Sequence, residues 1–219
     1  MRTAVFDLDG TLADTSADLI AAANACFEGR GLGKPLDPVA DALTAFAGGR
    51  AMLRLGVERL GVDDVLIDEE YQTLLTHYAG CIDDQTVLYP GVEACLDRLT
   101  AQGWILAVCT NKPEGLAETL LGRLGIRDRF ASMLGADTLP VRKPDPEHLF
   151  ETVRRAGGDP ARCVLMGDTI TDRKTAANAK APCVLVGFGP LGPDIAELAP
   201  DAILDHYDDL PALLERLLP

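Results

Sequence analysis

The chain has 219 residues, of which 47% are hydrophobic and 25% are charged, a composition typical of ordinary globular proteins rather than disordered or fibrous ones. Its 20 Lys and Arg residues are outnumbered by 34 Asp and Glu residues, which gives a formal net charge of −14 at pH 7. Because this charge repels nucleic acids and anionic membrane surfaces, we expect neither as a partner, and an anionic substrate would need a local positive site.

Short apolar runs predict the strands of the fold. They contain little polar alternation, which is typical of strands covered on both faces, and helical patterns separate them as parallel strands require. The predicted strands are 2–6, 105–109, 132–134, 163–166, 183–186 and 202–204. Right-handed crossovers would join them into a doubly wound parallel α/β sheet with a Rossmann-like core, whose ligands gather at the carboxyl ends of the strands.

Helical patterns fill much of the remaining chain. Pro or Gly residues stand at the ends of several of them, as is common where helices start and stop. The predicted helices are 17–28, 50–60, 68–82, 92–102, 114–124 and 147–156, with Ser16 as the N-cap of the first.

The segment 17–80 offers amphipathic helical patterns but no convincing strand. We therefore divide the chain into an α/β catalytic core, residues 1–15 and 82–219, and an inserted helical cap, residues 16–81. The insert begins a few residues after the first predicted strand, so we expect it to act as a lid that excludes water from a site at that strand end.

Two carboxylates, Asp7 and Asp9, follow the first predicted strand. Side chains two residues apart on an extended segment point the same way, so both would emerge together at the strand end. Such crowding is tolerable where a cation lies between the carboxylates or where one of them stays protonated as an acid. The pair therefore suggests phosphoryl chemistry, and the alternative is that Asp9 and Gly10 only form a turn.

Three further polar clusters carry candidate functional residues. Thr110 and Asn111 can donate hydrogen bonds to phosphoryl oxygens or cap the following helix. Lys143 can neutralise phosphate oxygens and keep a nucleophilic carboxylate ionised, or lie solvated in a turn. Asp168 and Asp172 are four residues apart, so Asp168 can ligate a metal while Asp172 orients a ligand, a water molecule or Lys143. Asp172 also suits a helix N-terminus.

The cofactor expected from these side chains is Mg²⁺. Carboxylate oxygens are hard ligands, and a site completed by water and substrate phosphate favours Mg²⁺ over Ca²⁺ because the octahedral magnesium shell tolerates retained water. Hydrolysis of phosphate monoesters is also among the slowest uncatalysed reactions, so a nucleophile, an acid, a metal and a phosphoryl clamp must act together.

Four motifs in this order resemble those of the haloacid dehalogenase-like hydrolase superfamily. They are Asp7-Leu8-Asp9-Gly10-Thr11, Thr110-Asn111, Lys143-Pro144 and Gly167-Asp168-Thr169-Ile170-Thr171-Asp172. The run Thr110-Asn111-Lys112-Pro113, the helical insert and the stretch 187–214 look like the phosphoglycolate phosphatase branch of that superfamily. The resemblance spans nearly the whole chain. One departure is the stretch 179–182, where relatives often have a small residue and a glycine.

The resemblance implies a role for each motif residue. Asp7 would be the nucleophile that forms an aspartyl-phosphate, and Asp9 would be the acid and base that marks a phosphatase rather than a dehalogenase. Mg²⁺ would bind the side chains of Asp7 and Asp168 and the backbone carbonyl of Asp9. The residues that would surround the transferred phosphoryl group are Thr110, Asn111 and Lys143, with Asp172 at the acidic end of the site.

We predict a Mg²⁺-dependent phosphomonoester hydrolase that acts on a small phosphorylated metabolite through an aspartyl-phosphate, with 2-phosphoglycolate as the leading substrate. In the insert, the flexible Gly48 and Gly49 precede Arg50, whose guanidinium is suited to bind a carboxylate or a second phosphate of the substrate. Alternatively, the two glycines merely join two helices and Arg50 is a solvated residue of the first turn. The alternatives are another small-metabolite phosphatase or a pyrophosphatase, a phosphohexomutase, or a non-enzymatic binding protein on this fold.

The six cysteines are widely spaced and form no C-x-x-C pair, which is typical of reduced thiols in a cytoplasmic protein. The N-terminus runs directly into the first predicted strand, and no apolar run reaches membrane-spanning length. We therefore expect a cytoplasmic monomer or homodimer without membrane or nucleic-acid partners.

Overall fold

The computed structural model describes all residues from 1 to 219 and divides them into two compact units. Unit 1 comprises Met1–Ala13 and Leu88–Pro219, and unit 2 comprises Asp14–Val87. The boundaries expected from the sequence, after residue 15 and before residue 82, lie close to these. That unit 2 works as a lid stays a prediction.

The predicted parallel sheet is confirmed. The strands are β1 (Thr3–Phe6), β2 (Ala13–Asp14), β3 (Val87–Leu88), β4 (Ile105–Cys109), β5 (Ser132–Leu134), β6 (Cys163–Gly167), β7 (Cys183–Val186) and β8 (Ala202–Leu204). Six of them form one parallel sheet in the order β5-β4-β1-β6-β7-β8, while β2 and β3 pair separately. All the strands predicted for the large sheet occur, with ends shifted by one residue at most.

Helices occupy the connections and most of unit 2. They are α1 (Ser16–Gly29), α2 (Ala42–Phe46), α3 (Gly49–Leu60), α4 (Val65–Gly80), α5 (Val92–Ala101), α6 (Glu114–Arg123), α7 (Pro146–Arg155), α8 (Ile170–Ala179) and α9 (Leu210–Leu217). The helices predicted by range occur as α1, α3, α4, α5, α6 and α7, and α8 starts just before Asp172, where the sequence suited a helix N-terminus. The helices α2 and α9 were not predicted. No helix combines the length and the apolar character that a membrane crossing requires.

The prediction of Ser16 as an N-cap is wrong. Ser16 is the first residue of α1, and the preceding Thr15 provides no side-chain cap. The hydroxyl of Ser16 instead donates to Oδ1 of Asp14 at 2.7 Å. Asp14 accepts the backbone N–H of Ser16 as well, so the chain enters the helix through a local aspartate turn.

The strand order places three strand ends side by side. β1 lies between β4 and β6, and all of its residues are buried. Phe6 pairs with Val108 of β4 and with Met166 of β6, so the three strands end at the same level. The chain builds the sheet from β1 through β4 to β5 on one side and then crosses to β6 on the other side of β1, so the strand order reverses here. Such a topological switch point is where ligands of open α/β sheets bind.

Close packing of α3 against α1 holds unit 2 together. Phe27 of α1 is fully buried, and Gly56 of α3 faces its ring. A Cβ atom at Gly56 would lie 2.3 Å from Cζ of Phe27, which is well inside van der Waals contact. The absence of a side chain at Gly56 therefore sets how closely the two helices approach.

Gly56→Ala is expected to lower the free energy of unfolding by about 1–3 kcal/mol, because the added methyl group overlaps the ring of Phe27. Gly122→Ala in α6 is the matched control. A Cβ atom there meets nothing within 4 Å, so we expect about 0.5–1 kcal/mol of added stability. Urea unfolding of both variants measures the difference, and equal stabilities would show that Gly56 does not limit helix packing.

Candidate active site

The ammonium group of Lys143 lies between two carboxylates at the end of the sheet. Lys143 precedes α7 and is 2% exposed. Its Nζ lies 2.8 Å from Oδ2 of Asp7 and 2.6 Å from Oδ1 of Asp172. Asp7 follows β1 and Asp172 belongs to the first turn of α8, so this ion-pair cluster joins three segments that are distant in sequence.

Burial alone would disfavour the charged form of Lys143. The neighbouring carboxylates of Asp172 and Asp7 outweigh that effect and raise the pKa of Lys143 above its ordinary value. Lys143 is therefore a permanent positive charge near the end of β1, which can attract an anionic group.

Asp172 both caps α8 and contacts Lys143, which are the two interpretations that the sequence left open. Its Oδ2 accepts hydrogen bonds from the backbone N–H of Thr169 at 3.1 Å and from the Thr169 hydroxyl at 2.7 Å, within a capping box. Gly167 makes this approach possible, because a Cβ atom there would lie 2.3 Å from Cβ of Asp172.

Asp168 completes a cluster of three carboxyl groups. One oxygen from each of Asp7, Asp168 and Asp172 lies within 4.8 Å of the others. Burial raises the pKa of Asp7 to about 6, although Lys143 acts in the opposite direction. Burial, reinforced by Asp172 and Asp7, raises the pKa of Asp168 well above its ordinary value. Three buried carboxyl groups around one ammonium leave an excess of negative charge that a cation would offset.

The donor set fits a hard divalent cation. Both oxygens of Asp172 are engaged, one by Lys143 and one by Thr169. The oxygens of Asp7 are engaged as well, by Lys143 and by the backbone N–H of Leu8, whereas the Asp168 carboxylate accepts only one side-chain hydrogen bond, from the Thr11 hydroxyl to Oδ1. Asp168 therefore has the carboxylate oxygen best placed for a metal ion, and a metal bound by Asp7 would share an oxygen with these contacts. Asp9 was expected to contribute its backbone carbonyl, and its side chain contacts Lys112.

Lys112 is a site residue that the sequence reasoning missed. Its Nζ lies 2.7 Å and 3.0 Å from the two carboxylate oxygens of Asp9. The Lys112 side chain is only 3% exposed, and that of Asp9 is 18% exposed. The signal in the sequence was a lysine two residues beyond Thr110, just after a buried strand of an acidic protein.

Thr110 and Asn111 connect loops around the site. The Thr110 hydroxyl accepts the backbone N–H of Lys112 at 3.2 Å. The amide of Asn111 donates to the backbone carbonyl of Lys143 at 3.0 Å. The alternative that this pair caps α6 is wrong, because Pro113 occupies the N-cap position and Oδ1 of Asp137 accepts the first N–H of the helix, that of Glu114, at 2.7 Å. The predicted contacts with phosphoryl oxygens stay a prediction.

Arg50 lies in unit 2, close to the start of α3. Its guanidinium pairs with Oδ1 of Asp68 at 2.5 Å and lies 4.6 Å from the centre of the Tyr71 ring. Gly48 before it has a φ of +98°, a conformation that favours glycine, and a Cβ atom at Gly49 would lie 3.2 Å from Tyr71. Arg50 is thus held by its own unit, and its contact with substrate stays a prediction.

The sequence profile of haloacid dehalogenase-like hydrolases matches residues 1–180 of the chain. The chain belongs to this family. Haloacid dehalogenase-like hydrolases are enzymes, so the expectation of an enzyme is confirmed.

Relatives that align over nearly the whole chain indicate which branch of the family it resembles. A phosphoglycolate phosphatase of Agrobacterium fabrum is 40% identical over 221 residues, which cover 98% of this chain and 93% of the relative. A phosphoglycolate phosphatase of Caulobacter vibrioides is 36% identical over 219 residues, which cover 99% and 92%. A crystal structure described as a predicted phosphoglycolate phosphatase, from Haemophilus somnus 129PT, has a TM-score of 0.86 at 27% identity and covers 97% of each chain. The predicted resemblance to this branch of the haloacid dehalogenase-like hydrolases is therefore confirmed.

Lys143→Met is expected to lower the free energy of unfolding by about 3–5 kcal/mol at pH 8, because two buried carboxylates lose their counter-charge. The pKa of Asp7, about 6 in the folded protein, is already above that of an exposed carboxyl group and should rise further in the variant. A raised folded-state pKa means that stability is lost as the pH rises through it, so the effect should be smaller at pH 5.

Urea unfolding of the metal-free protein at pH 5 and pH 8 measures this difference. Lys174→Met, at an exposed position of α8, is the matched control and should change stability by no more than about 0.5 kcal/mol at either pH. An equal loss of stability for Lys143→Met at both pH values would contradict the coupling to Asp7.

Proposed function

We propose that this protein is a cytoplasmic, Mg²⁺-dependent phosphatase that hydrolyses 2-phosphoglycolate through an aspartyl-phosphate on Asp7. The observation that carries the proposal is the convergence of Asp7, Lys143 and Asp168 at adjacent strand ends of unit 1. The choice of substrate is supported by full-length relatives of 36–40% identity that are named phosphoglycolate phosphatases.

Asp7 supplies the nucleophilic oxygen of the first step. Lys143 favours the ionised form of this carboxylate against the burial that raises its pKa. The oxygen of Asp7 attacks phosphorus as the bond between phosphorus and the ester oxygen breaks. Asp9 gives its proton to that ester oxygen, so the leaving group departs with an uncharged hydroxyl rather than as an alkoxide. Asp7 then carries the phosphoryl group.

Water completes the reaction in the second step. Asp9 takes a proton from the water molecule as the water oxygen attacks phosphorus and the bond to Asp7 breaks. Inorganic phosphate leaves, and Asp7 and Asp9 return to their starting states. Lys143 and the side chains of Thr110 and Asn111 donate hydrogen bonds to the phosphoryl oxygens in both steps.

The side chains of Asp7 and Asp168 and the backbone carbonyl of Asp9 would hold Mg²⁺. When bound, the ion neutralises charge on the phosphoryl oxygens. Asp172 keeps Lys143 beside Asp7 through the 2.6 Å contact and so orients the ammonium toward the reacting group.

The alternatives differ in what becomes of the phosphoryl group. A phosphohexomutase would return it to another hydroxyl of the substrate, and a binding protein would not transfer it. Phosphate release measured across 2-phosphoglycolate, sugar phosphates, nucleoside monophosphates and pyrophosphate separates these functions. Steady turnover with 2-phosphoglycolate as the best substrate is the expected result, and no release from any ester would overturn the proposal.

Asp7→Asn should reduce phosphate release by about 10⁴-fold or more, because the amide has nearly the shape of the carboxylate but cannot attack phosphorus. Asp194→Asn, at an exposed position of unit 1, is the matched control and should retain full turnover. Thermal unfolding checks that both variants are folded. Turnover of the Asp7 variant within tenfold of wild type would exclude Asp7 as the nucleophile.

Removal of divalent cations with EDTA should abolish phosphate release, and added Mg²⁺ should restore it. Mg²⁺ at 100 times its Kd should raise the free energy of unfolding by about 2.7 kcal/mol. Because the pKa values of Asp7 and Asp168 are raised and the ion needs their ionised forms, its Kd should be higher at pH 5 than at pH 7.5, so one fixed Mg²⁺ concentration should give a stabilisation that increases between these pH values. Asp168→Asn should remove most of it. Stabilisation that is independent of Asp168 would place the ion elsewhere.

A further inference from the structure

The mechanism above leaves the buried ammonium of Lys112 without a role. Lys112 and Lys143 are the two buried lysines of the chain. Lys143 contacts Asp7 and Asp172, whereas the carboxylate of Asp9 faces Lys112 with both of its oxygens, at 2.7 Å and 3.0 Å. A charged group that is removed from water this completely needs an anionic partner at all times.

The backbone fixes the position of Lys112. Its N–H donates to the Thr110 hydroxyl at 3.2 Å, and its carbonyl accepts the N–H of Ala136 at 2.9 Å. A Cβ atom at Gly135 would lie 2.7 Å from the carbonyl oxygen of Lys112, so only glycine allows this contact. The backbone that carries the ammonium is therefore held by two loops at the ends of β4 and β5, and it is not part of a flexible surface segment.

The position of Lys112 beside Asp9 places it next to the leaving group. In the proposed reaction, Asp9 delivers a proton to the ester oxygen, so that oxygen must come within hydrogen-bond reach of the Asp9 carboxylate. The carboxylate carbon of 2-phosphoglycolate is two bonds from the same oxygen. An ammonium that contacts Asp9 is thus within a few ångströms of the place that the substrate carboxylate must occupy.

Resting on the proposed function, we propose that Lys112 binds the carboxylate of 2-phosphoglycolate, which displaces the carboxylate of Asp9 from the ammonium. One carboxylate replaces another, so the charge around Lys112 is unchanged. Asp9, released from the ammonium, takes up a proton from solvent and turns toward the ester oxygen only when the substrate brings its own carboxylate. Lys112 therefore determines specificity, and it couples recognition of the leaving group to the placement of the acid.

This assignment differs from the one expected for Arg50. The Arg50 side chain is 52% exposed and its partner Asp68 is 77% exposed, so water and salt screen interactions there. Lys112 lies in the same unit as Asp7, and its side chain is 3% exposed, so a carboxylate bound to it gains a much less screened attraction.

The first test compares two esters on the full-length protein with Mg²⁺. 2-Hydroxyethyl phosphate carries a hydroxymethyl group where 2-phosphoglycolate carries its carboxylate. Lys112→Met should lower the ratio of kcat/KM between 2-phosphoglycolate and 2-hydroxyethyl phosphate by about 30-fold or more, and Lys112→Arg should restore part of it. Lys174→Met is the charge-matched control and should leave the ratio unchanged.

Two outcomes of this test would overturn the proposal. If Lys112→Met lowers kcat/KM for both esters by the same factor, Lys112 has only a structural or general role. If Arg50→Ala changes the ratio and Lys112→Met does not, the carboxylate belongs to Arg50.

The second test measures binding, so it can be applied even to a variant that has lost turnover. The probes are 3-phosphonopropionate and 3-hydroxypropylphosphonate, in which a methylene group replaces the ester oxygen. Calorimetry should show that the wild type binds 3-phosphonopropionate more tightly than 3-hydroxypropylphosphonate, and Lys112→Met should abolish that preference. Asp9→Asn removes the competing carboxylate and should increase the preference by about tenfold. A preference that neither variant changes would overturn the proposal.

The two proposals fail in different ways. A wild type that hydrolyses both esters with equal efficiency refutes the role of Lys112 and leaves the phosphatase function intact. A wild type that hydrolyses no ester refutes the phosphatase function, and the binding preference then decides whether Lys112 recognises carboxylates.

Discussion

The buried ion pairs of Lys143 with Asp7 and Asp172 are the constraint on which the site depends. The three residues come from the end of β1, the loop before α7 and the first turn of α8, and nothing in the local sequence keeps them together. Removing Lys143 would leave two buried carboxylates without their counter-charge, which costs far more than an exposed ion pair contributes. The cluster therefore couples the folding of three segments to the geometry of one carboxylate.

Small residues and hydrogen bonds to backbone groups hold the loops that present these charges. Gly167 lets Asp172 approach the end of β6, and Gly135 lets the loop that carries Lys112 pack against the end of β5. Beneath them, the buried ring of His148 lies 2.9 Å from the carbonyl oxygen of Gly135 and 3.3 Å from Sγ of Cys109. Burial lowers the pKa of His148, so this contact is made by a neutral ring. In a protein of net charge −14, two buried lysines thus provide positive charge where an anionic substrate needs it.

The strands and the motif residues were predictable because they depend on local patterns. Continuous apolar runs predicted β1, β4 and β6, and polar side chains directly after strands marked one edge of the sheet. Predictions that depended on competition between side chains were less reliable. Ser16 does not cap α1 because its hydroxyl donates to Asp14. The short helix α2 was not predicted because no side-chain pattern indicated it. The partner of Lys112 was also not predictable, since Asp9 is distant from it in sequence.

The amino-acid sequence by itself determined the class of fold, the order of the four motifs and the residue types available for chemistry. These properties follow from periodicity and from residues placed at strand ends, which are local. Only the tertiary structure decided which carboxylate each lysine contacts, because ion pairing depends on distances between segments that sequence spacing does not encode. Lys143 forms ion pairs with Asp7 and Asp172, and Lys112 forms an ion pair with Asp9. Buried charges must be neutralised by whatever opposite charge the packed strands and loops bring within a few ångströms.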